Sequence, residues 1–408
     1  MSEAPKPRHT ARYRQRRDAI LVAAVRVLNR RGVRGMTLKD VAAQLGIVPT
    51  GVIYYFPNKE ALAAACFQRA IAHYQDLFTA ASSAPTPEAR VDAFLQGYLK
   101  WHARMREGDA EPIAVFNDVR ALNDPAVNEA YVAMYRRLRS LLDDEEERAP
   151  RPVRNARTHF LLSTVFWAVV WLQRYDPDDY GRILARIREI LFRGVATADL
   201  AWPPQGLAPL GARDRAESEG GAEQFLGAAT QLINEEGYFG ASVDRITARL
   251  NLTKGAFYHH IDTKDDLVVA CFEHTLALMR AGQRAGMALD ASAGDRLSAA
   301  AAGLVEYQLA GDAPLLRTSA LTSVPEVIQD RLLLDFERIT RRFAGLLNDG
   351  IADGSLRPVD VNIASDMLTG LINAAAELRF WVPGITAEQA PERFIRPFFH
   401  GLLSAQER

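Results

Sequence analysis

Along the whole chain apolar residues recur every three to four positions, and no run of alternating β-branched residues bounded by turn signals suggests a sheet. The pattern predicts an all-α fold. Thr37-Leu-Lys-Asp40 has the spacing of a capping box that opens a short helix, and Gly46 breaks that helix. A second short helix is expected from about Val48 to Tyr55. Pro57 ends it, because proline lacks an amide hydrogen and clashes with the preceding turn, and Asn58 can cap a longer helix through Cys66. Long amphipathic helices follow. The most apolar are RTHFLLSTVFWAVVWLQRY (157–175) and NIASDMLTGLINAAAELRFW (362–381). The greasiest run, 160–172, is shorter than the roughly 20 residues that cross a bilayer, so no membrane partner is expected.

The pattern occurs twice. At an offset of 205 residues, LVAAVRVLNRRGVRGMTLKDVAAQLGI (21–47) aligns without a gap with LGAATQLINEEGYFGASVDRITARLNL (226–252). Gly32 falls on Gly237, Leu45 on Leu250, Lys59 on Lys264 and Cys66 on Cys271. The cap marks of the second copy are Ser242, Asn251, and Thr263 with Asp266. More loosely, RPV at 151–153 matches RPV at 357–359, and LFRGV near 191 matches FFHGL near 398. The expected division is a helix-turn-helix head over 1–62, a helical core over 63–196, a linker over 197–221, a second head over 222–267 and a second core over 268–408. The Pro, Gly and charged residues of the linker suggest a tether, and about 25 extended residues reach roughly 80 Å.

Composition changes this picture little. At 408 residues, with 48% apolar and 24% charged, the chain is ordinary globular material for two or three domains. Its two cysteines form neither a disulfide framework nor a zinc spacing, and the N-terminus carries no apolar signal region, so a cytoplasmic location is expected. Both thiols read as small buried hydrophobes.

The segments ILVAAVRVLNRRGVRGMTLKDVAAQLGIVPTGVIYYFPNKEAL and FLGAATQLINEEGYFGASVDRITARLNLTKGAFYHHIDTKDDL each resemble the DNA-binding head of the TetR family of repressors. DGSLRPVDVNIASDMLTGLINAAAELRFW (353–381) is similar to the last helices of that family's regulatory domain. The resemblance implies two tandem TetR-like units, each a three-helix head on a helical ligand-binding and dimerisation core. It implies DNA contacts at Thr37, Val48, Pro49, Thr50, Tyr54, Tyr55 and Lys59 in the first head. In the second they fall on Ser242, Thr253, Lys254, Gly255, Tyr258, His260 and Lys264. A lysine at a positive helix end is a phosphate clamp on physical grounds as well. For Tyr54 and Tyr55, packing between helices is the alternative reading.

Charge separates the copies. Residues 1–62 hold twelve Lys/Arg against four acids, net +8, whereas residues 206–267 hold six against ten, net −4. Affinity for a duplex comes largely from neutralised phosphates and released counterions. The first head, with Arg12, Arg16 and Arg17 in a basic arm suited to backbone or minor groove, is therefore expected to grip double-stranded operator DNA harder. The second, among Glu235, Glu236, Asp262, Asp265 and Asp266, is expected to dock as a weaker, tethered head.

No phosphate loop, nucleophile elbow, dinucleotide fingerprint or zinc-protease motif is found, so neither an enzyme nor a cofactor or metal site is expected. A small-molecule effector is implied by the resemblance. Its pocket is sought among Trp101, His102, Phe116, Tyr131 and Phe166 in one core, and Tyr307, Phe336, Phe343 and Trp381 in the other, where core packing is the competing role. Trp167 and Trp171, one turn apart, are expected to pack between helices or units. The expectation is a ligand-responsive transcriptional regulator, a repressor by resemblance, working as a monomeric pseudo-dimer on two unlike half-sites. A homodimer of four heads, or a scaffold whose second head no longer touches DNA, are the alternatives.

Overall fold

The computed structural model describes residues 11–116, 119–144, 149–208, 210, 222–249, 263–310, 314–317, 320, 324 and 326–404. Among them there is no strand; one isolated bridge pairs Ala196 with Leu356. The first unit runs α1 (Ala11–Gly35), α2 (Leu38–Gln44), α3 (Pro49–Ile53), α4 (Lys59–Ala81), α5 (Pro87–Glu107), α6 (Pro125–Leu141), α7 (Arg151–Trp171) and α8 (Tyr180–Arg193). The second runs α9 (Ala222–Gly240), α10 (Val243–Arg249), α11 (Lys264–Met287), α12 (Ala293–Ala310), α13 (Glu326–Asp353), α14 (Val361–Ala374), α15 (Leu378–Trp381), then a π-helical turn Pro391–Ile395 leading into α16 (Arg396–His400).

Local chemistry starts these helices. Thr37 Oγ1 accepts from the Asp40 amide at 3.2 Å, Asn58 Oδ1 from Ala61 at 2.8 Å, Thr86 Oγ1 from Ala89 at 3.1 Å and Asp124 Oδ1 from Val127 at 2.9 Å. Thr263 and Asp266 form a reciprocal capping box at the start of α11. Each such cap is worth about 1 kcal/mol. The gap-free match of the two heads also acquires a meaning in the first helix of each. Gly32 (φ 65°) and Gly237 (φ 73°) kink α1 and α9 at the same place.

The two units pack on one another. Helix α7 lies along α14, α15 and the π turn, and α8 packs on α14 and α16. Trp167 covers Gly370, where an added Cβ would fall 2.4 Å from the indole, so this tryptophan packs between units. Trp171 is fully buried beside Tyr175. His159 bonds the Ala374 carbonyl at 2.9 Å and stacks on Phe394. Ion pairs flank this apolar seam: Arg174–Asp366 at 2.6 Å and Arg357–Glu189 at 3.2 Å.

The linker is not a free tether where it is described. Val195 and Ala196 donate to Phe398 and Phe399 carbonyls at 3.1 and 2.8 Å, and Thr197 to Ser355 at 3.3 Å. Leu200 and Leu210 are buried, Trp202 stacks on Phe399, and Leu207 sits against Gly303 of α12. Four large apolar residues outweigh the Pro and Gly content, because leaving each in water would cost about 1.5–3 kcal/mol. The segment 197–208 is a strap on the second core, which shortens the reach expected of it.

The segments LFRGV and FFHGL meet at the tightest point. A Cβ on Gly194 (φ 66°) would lie 2.0 Å from the Phe399 carbonyl oxygen, and one on Gly401 (φ 97°) would lie 2.4 Å from that of Phe192. Backbone opposes backbone here, so nothing flexible can give way. Gly194→Ala and Gly401→Ala should each cost at least about 2 kcal/mol, from positive-φ strain plus the clash. Gly345→Ala, in an exposed helical turn with open space, should instead stabilise by about 0.5–1 kcal/mol. Urea unfolding of the three variants checks this; equal midpoints for Gly194→Ala and Gly345→Ala would contradict it.

Candidate nucleic-acid interface

In the first head the turn between α2 and α3 is built by Gly46 in left-handed backbone (φ 63°), with Ile47 donating back to Ala42 at 3.0 Å. Val41, Ala42, Val52 and Phe56 point inward, with α3 packed on α2 and α2 on α1. The opposite side of α3 is left outward: Val48 is 66% exposed and Tyr54 73%, and Pro49 and Thr50 are exposed with them. The helix is shorter than expected, Pro49–Ile53 capped by Val48 and Tyr54. The adjacent tyrosines differ in exposure. Tyr55 is half-buried with its ring 4.7 Å from Tyr13, whereas Tyr54 touches the same cluster and stands in solvent.

The basic residues at the start of the chain differ from an extended arm: from Ala11 onward they form the first turns of α1. Arg12 and Arg16 are exposed, and Arg17 lies over the Phe56 ring at 5.0 Å. Thr37 is exposed at the N-terminus of α2. Lys59, at the first position of α4, donates from Nζ to the Arg34 carbonyl at 3.1 Å, so it caps α1 as well as standing at a positive helix end.

In the second head, Ser242 Oγ accepts from the Arg245 amide at 3.3 Å. Thr253, Lys254, Gly255, Tyr258 and His260 lie outside the described residues. Lys264 stands at the first position of α11, half-buried; burial pushes its amine below the usual lysine range, and Asp265 partly offsets that. The heads also touch one another, which the sequence did not signal: α1 packs on α9, and Arg34 reaches Glu236 at 3.5 Å while Arg245 grips the same carboxylate. Arg34 is 41% exposed, and a partly solvated pair of this kind contributes on the order of 1 kcal/mol.

The family model for bacterial regulatory proteins of the tetR family matches residues 20–66 and again 225–271. Both heads belong to the TetR family. The Tn10 TetC protein of Escherichia coli is 37% identical over 59 residues, 14% of this chain and 30% of that protein. The transcriptional regulator BetI of Rhizobium meliloti is 30% identical over 128 residues, 31% of this chain and 62% of BetI. The chain therefore spans less than two thirds of either relative. The TetR-family regulator PfmR of Thermus thermophilus, at 21% identity and a TM-score of 0.38, covers 45% of this chain and 99% of its own.

Behind the first TetR head, the five residues sought as pocket lining fall into one aromatic network. Phe116 has its ring 5.0 Å from Tyr131 and 5.4 Å from Phe166, and Tyr74 joins it at 5.7 Å. Tyr74 leads through Tyr98 to His102 and Trp101. In the second unit Tyr307, Phe336 and Phe343 are buried, with Phe336 against Phe272. Trp381 leaves its own core and stacks on Tyr135 of the first unit at 3.7 Å. Pairing Arg90 with Arg296 and Gly97 with Gly303 sets Ala300 opposite Phe94, Leu304 opposite Tyr98 and Gln308 opposite His102. At these three positions the second core carries no aromatic ring.

His102 is 4% exposed and its Nε2 has no hydrogen-bond partner among the described residues. Burial, reinforced by His73 and Arg106, pushes its pKa down to about 4. The unfolded chain then binds the proton more readily than the folded one. Stability is full above the ordinary histidine pKa and is lost as pH falls from about 6.5 toward 4, by up to about 3 kcal/mol. His102→Gln, the residue at the matching place in the second core, should flatten that acid limb relative to the unsubstituted chain. Denaturant melts between pH 4 and 7 measure it, and an unchanged slope would show that His102 titrates normally.

Proposed function

We propose that the chain is a ligand-responsive DNA-binding transcriptional regulator, a repressor, whose two TetR-type units act together as an intramolecular pseudo-dimer. The observation that carries this reading is the pairing of two such heads in one chain with an apolar interface between their own cores, α7 and α8 against α14 and α16. A four-helix seam of this kind is what two separate subunits would need in order to present two heads. Here one chain supplies both sides.

The first head supplies most of the grip. Its outward residues Val48, Pro49, Thr50 and Tyr54 face the major groove, Arg12 and Arg16 the backbone, and Thr37 and Lys59 the phosphates at helix ends. Thr253, Lys254, Gly255, Tyr258 and His260 would read the second half-site, with Ser242 and Lys264 on its phosphates. Unlike recognition helices imply unlike half-sites, since a palindrome mirrors a symmetric protein. The aromatic core of the first unit is the effector site that the reading favours, around Trp101, His102, Phe116, Tyr131 and Phe166. An effector there must prefer the DNA-incompetent arrangement by about 1–3 kcal/mol to switch binding usefully. Cytoplasmic placement follows from a duplex partner.

The mass of the chain in solution tests the architecture. Light scattering at micromolar concentration should return one chain, 45.2 kDa, when free, and one chain plus the mass of the duplex on one operator. A mass twice that would make it a four-headed homodimer instead.

Head inequality is tested through matched lysines. Lys59→Ala should weaken binding to all sequences and lower the salt slope by about 1. Lys264→Ala, removed from a head already rich in acids, should cost less. Titrations of labelled operator at several salt concentrations compare them, and equal losses would mean that both heads grip alike.

A further inference from the structure

Each head is fastened to its own core by one asparagine. Asn29 of α1 donates from Nδ2 to the Ile113 carbonyl at 2.9 Å and accepts at Oδ1 from the Val115 amide at 3.0 Å. Asn234 of α9 does the same in the second unit, to the Leu315 carbonyl at 3.0 Å and from the Arg317 amide at 2.9 Å. A side-chain amide has one donor end and one acceptor end, so it can hold a carbonyl and an N–H two residues apart in one orientation only. The same two-point grip in both copies is a built feature and not an incidental contact.

Both gripped segments lead to the boundary between the units. Arg317 is itself held by Asn234, and its guanidinium lies 3.2 Å from one oxygen of Glu377. Arg120 follows Val115 after a short stretch, on the 3-10 turn Val119–Leu122, and lies 3.8 Å from the other oxygen. Its guanidinium is also stacked on Phe380 at 3.2 Å. One carboxylate therefore ties an arginine from each unit. Burial works against its charge, but Arg317 and Arg120 outweigh burial and hold the Glu377 pKa down to about 2. A continuous path of hydrogen bonds, ion pairs and short stretches of chain joins α1 of one head to α9 of the other.

We propose that Asn29 and Asn234, joined through Arg120, Glu377 and Arg317, fix the separation of the two heads and so specify the half-site spacing the chain accepts. The inference rests on the two-headed DNA-binding reading above and names the residues that set its geometry. The direct Arg34–Glu236 contact between the heads acts beside this path. Glu377 serves both units, because both arginines lose their partner together when it is removed.

The test uses the full chain with and without E377Q, and separately with N29A and with N234A, each checked for native helicity and melting. Spin labels on Lys39→Cys and Ala248→Cys, both exposed, report the head-to-head distance without DNA; Cys66 and Cys271 are buried. A narrow distance distribution should broaden in all three variants. Operators with the spacer altered by one to three base pairs should cost the parent chain about tenfold in affinity, and the variants under about threefold. Variants that keep both the narrow distribution and the spacing preference would overturn the inference and leave the two-headed reading standing. Broadened distances in a chain whose parent binds no pair of half-sites would overturn the two-headed reading, and with it the spacing role.

Discussion

The close approach of two backbones at Gly194 and Gly401 is the constraint on which the rest of the architecture hangs. Phe192 and Phe399 carbonyls occupy the space where side chains would stand, so the two units meet at main-chain distance. That closeness lets Val195, Ala196 and Leu402 exchange hydrogen bonds across the seam, and it sets the line along which α7 meets α14. Arg357 then reaches back to the Gly194 carbonyl at 2.6 Å and to Glu189. A side chain at either glycine would lever the seam apart and carry Trp167 away from Gly370. The strap 197–208 continues from this crossing, which is why it lies down on the second core.

Holding both units in one chain removes the requirement that they stay alike. Symmetric subunits must carry every substitution on both sides of an interface. Here Trp381 can leave its own core to stack on Tyr135 of the other unit. The first core keeps an aromatic network from Tyr74 to Tyr131, and the second fills the matching helix with Ala299, Ala300, Ala301 and Ala302. A small side chain lets helices approach closely and leaves less room between them, so the two interiors differ in what they can admit. The same freedom explains a basic head beside an acidic one.

What the sequence made legible was whatever depends on near neighbours. Caps at Thr37, Asn58 and Thr263 rest on contacts three residues apart, and the helical period follows from burial of one face. The seam was visible too, because 157–175 and 362–381 are apolar on more faces than one core requires. The strap is not legible in Pro and Gly content, because what lays it down is the packing of Leu200, Trp202, Leu207 and Leu210. Tyr54 and Tyr55 were left with two roles each, since which of two adjacent side chains turns inward depends on Tyr13, more than forty residues earlier. Asn29 and Asn234 are the same residue at the 205 offset, but the offset alone does not say what they hold. An amide kept among diverged neighbours was the available signal, and its reason lies in loops far along the chain.

Charge counted along a window is the hardest quantity to carry into three dimensions. Of the acids that set the second head apart, Glu236 is gripped by Arg34 and Arg245, and Asp266 closes the capping box of Thr263. Neither presents an unopposed charge to a duplex. The first head spends charge in the same way: Arg31 lies 2.8 Å from Asp40, Arg34 reaches Glu236, and Arg17 lies over Phe56. Subtracting these narrows the gap between the heads without closing it. Arg12, Arg14 and Arg16 remain exposed on one end of α1, and the described part of the second head has no comparable basic turn. Field strength at a surface depends on charges left facing solvent, and Arg12, Arg14 and Arg16, with Arg26, Arg30 and Lys39, still face it. The asymmetry therefore survives the pairing, and it arises from the start of α1 more than from the acids around the second head.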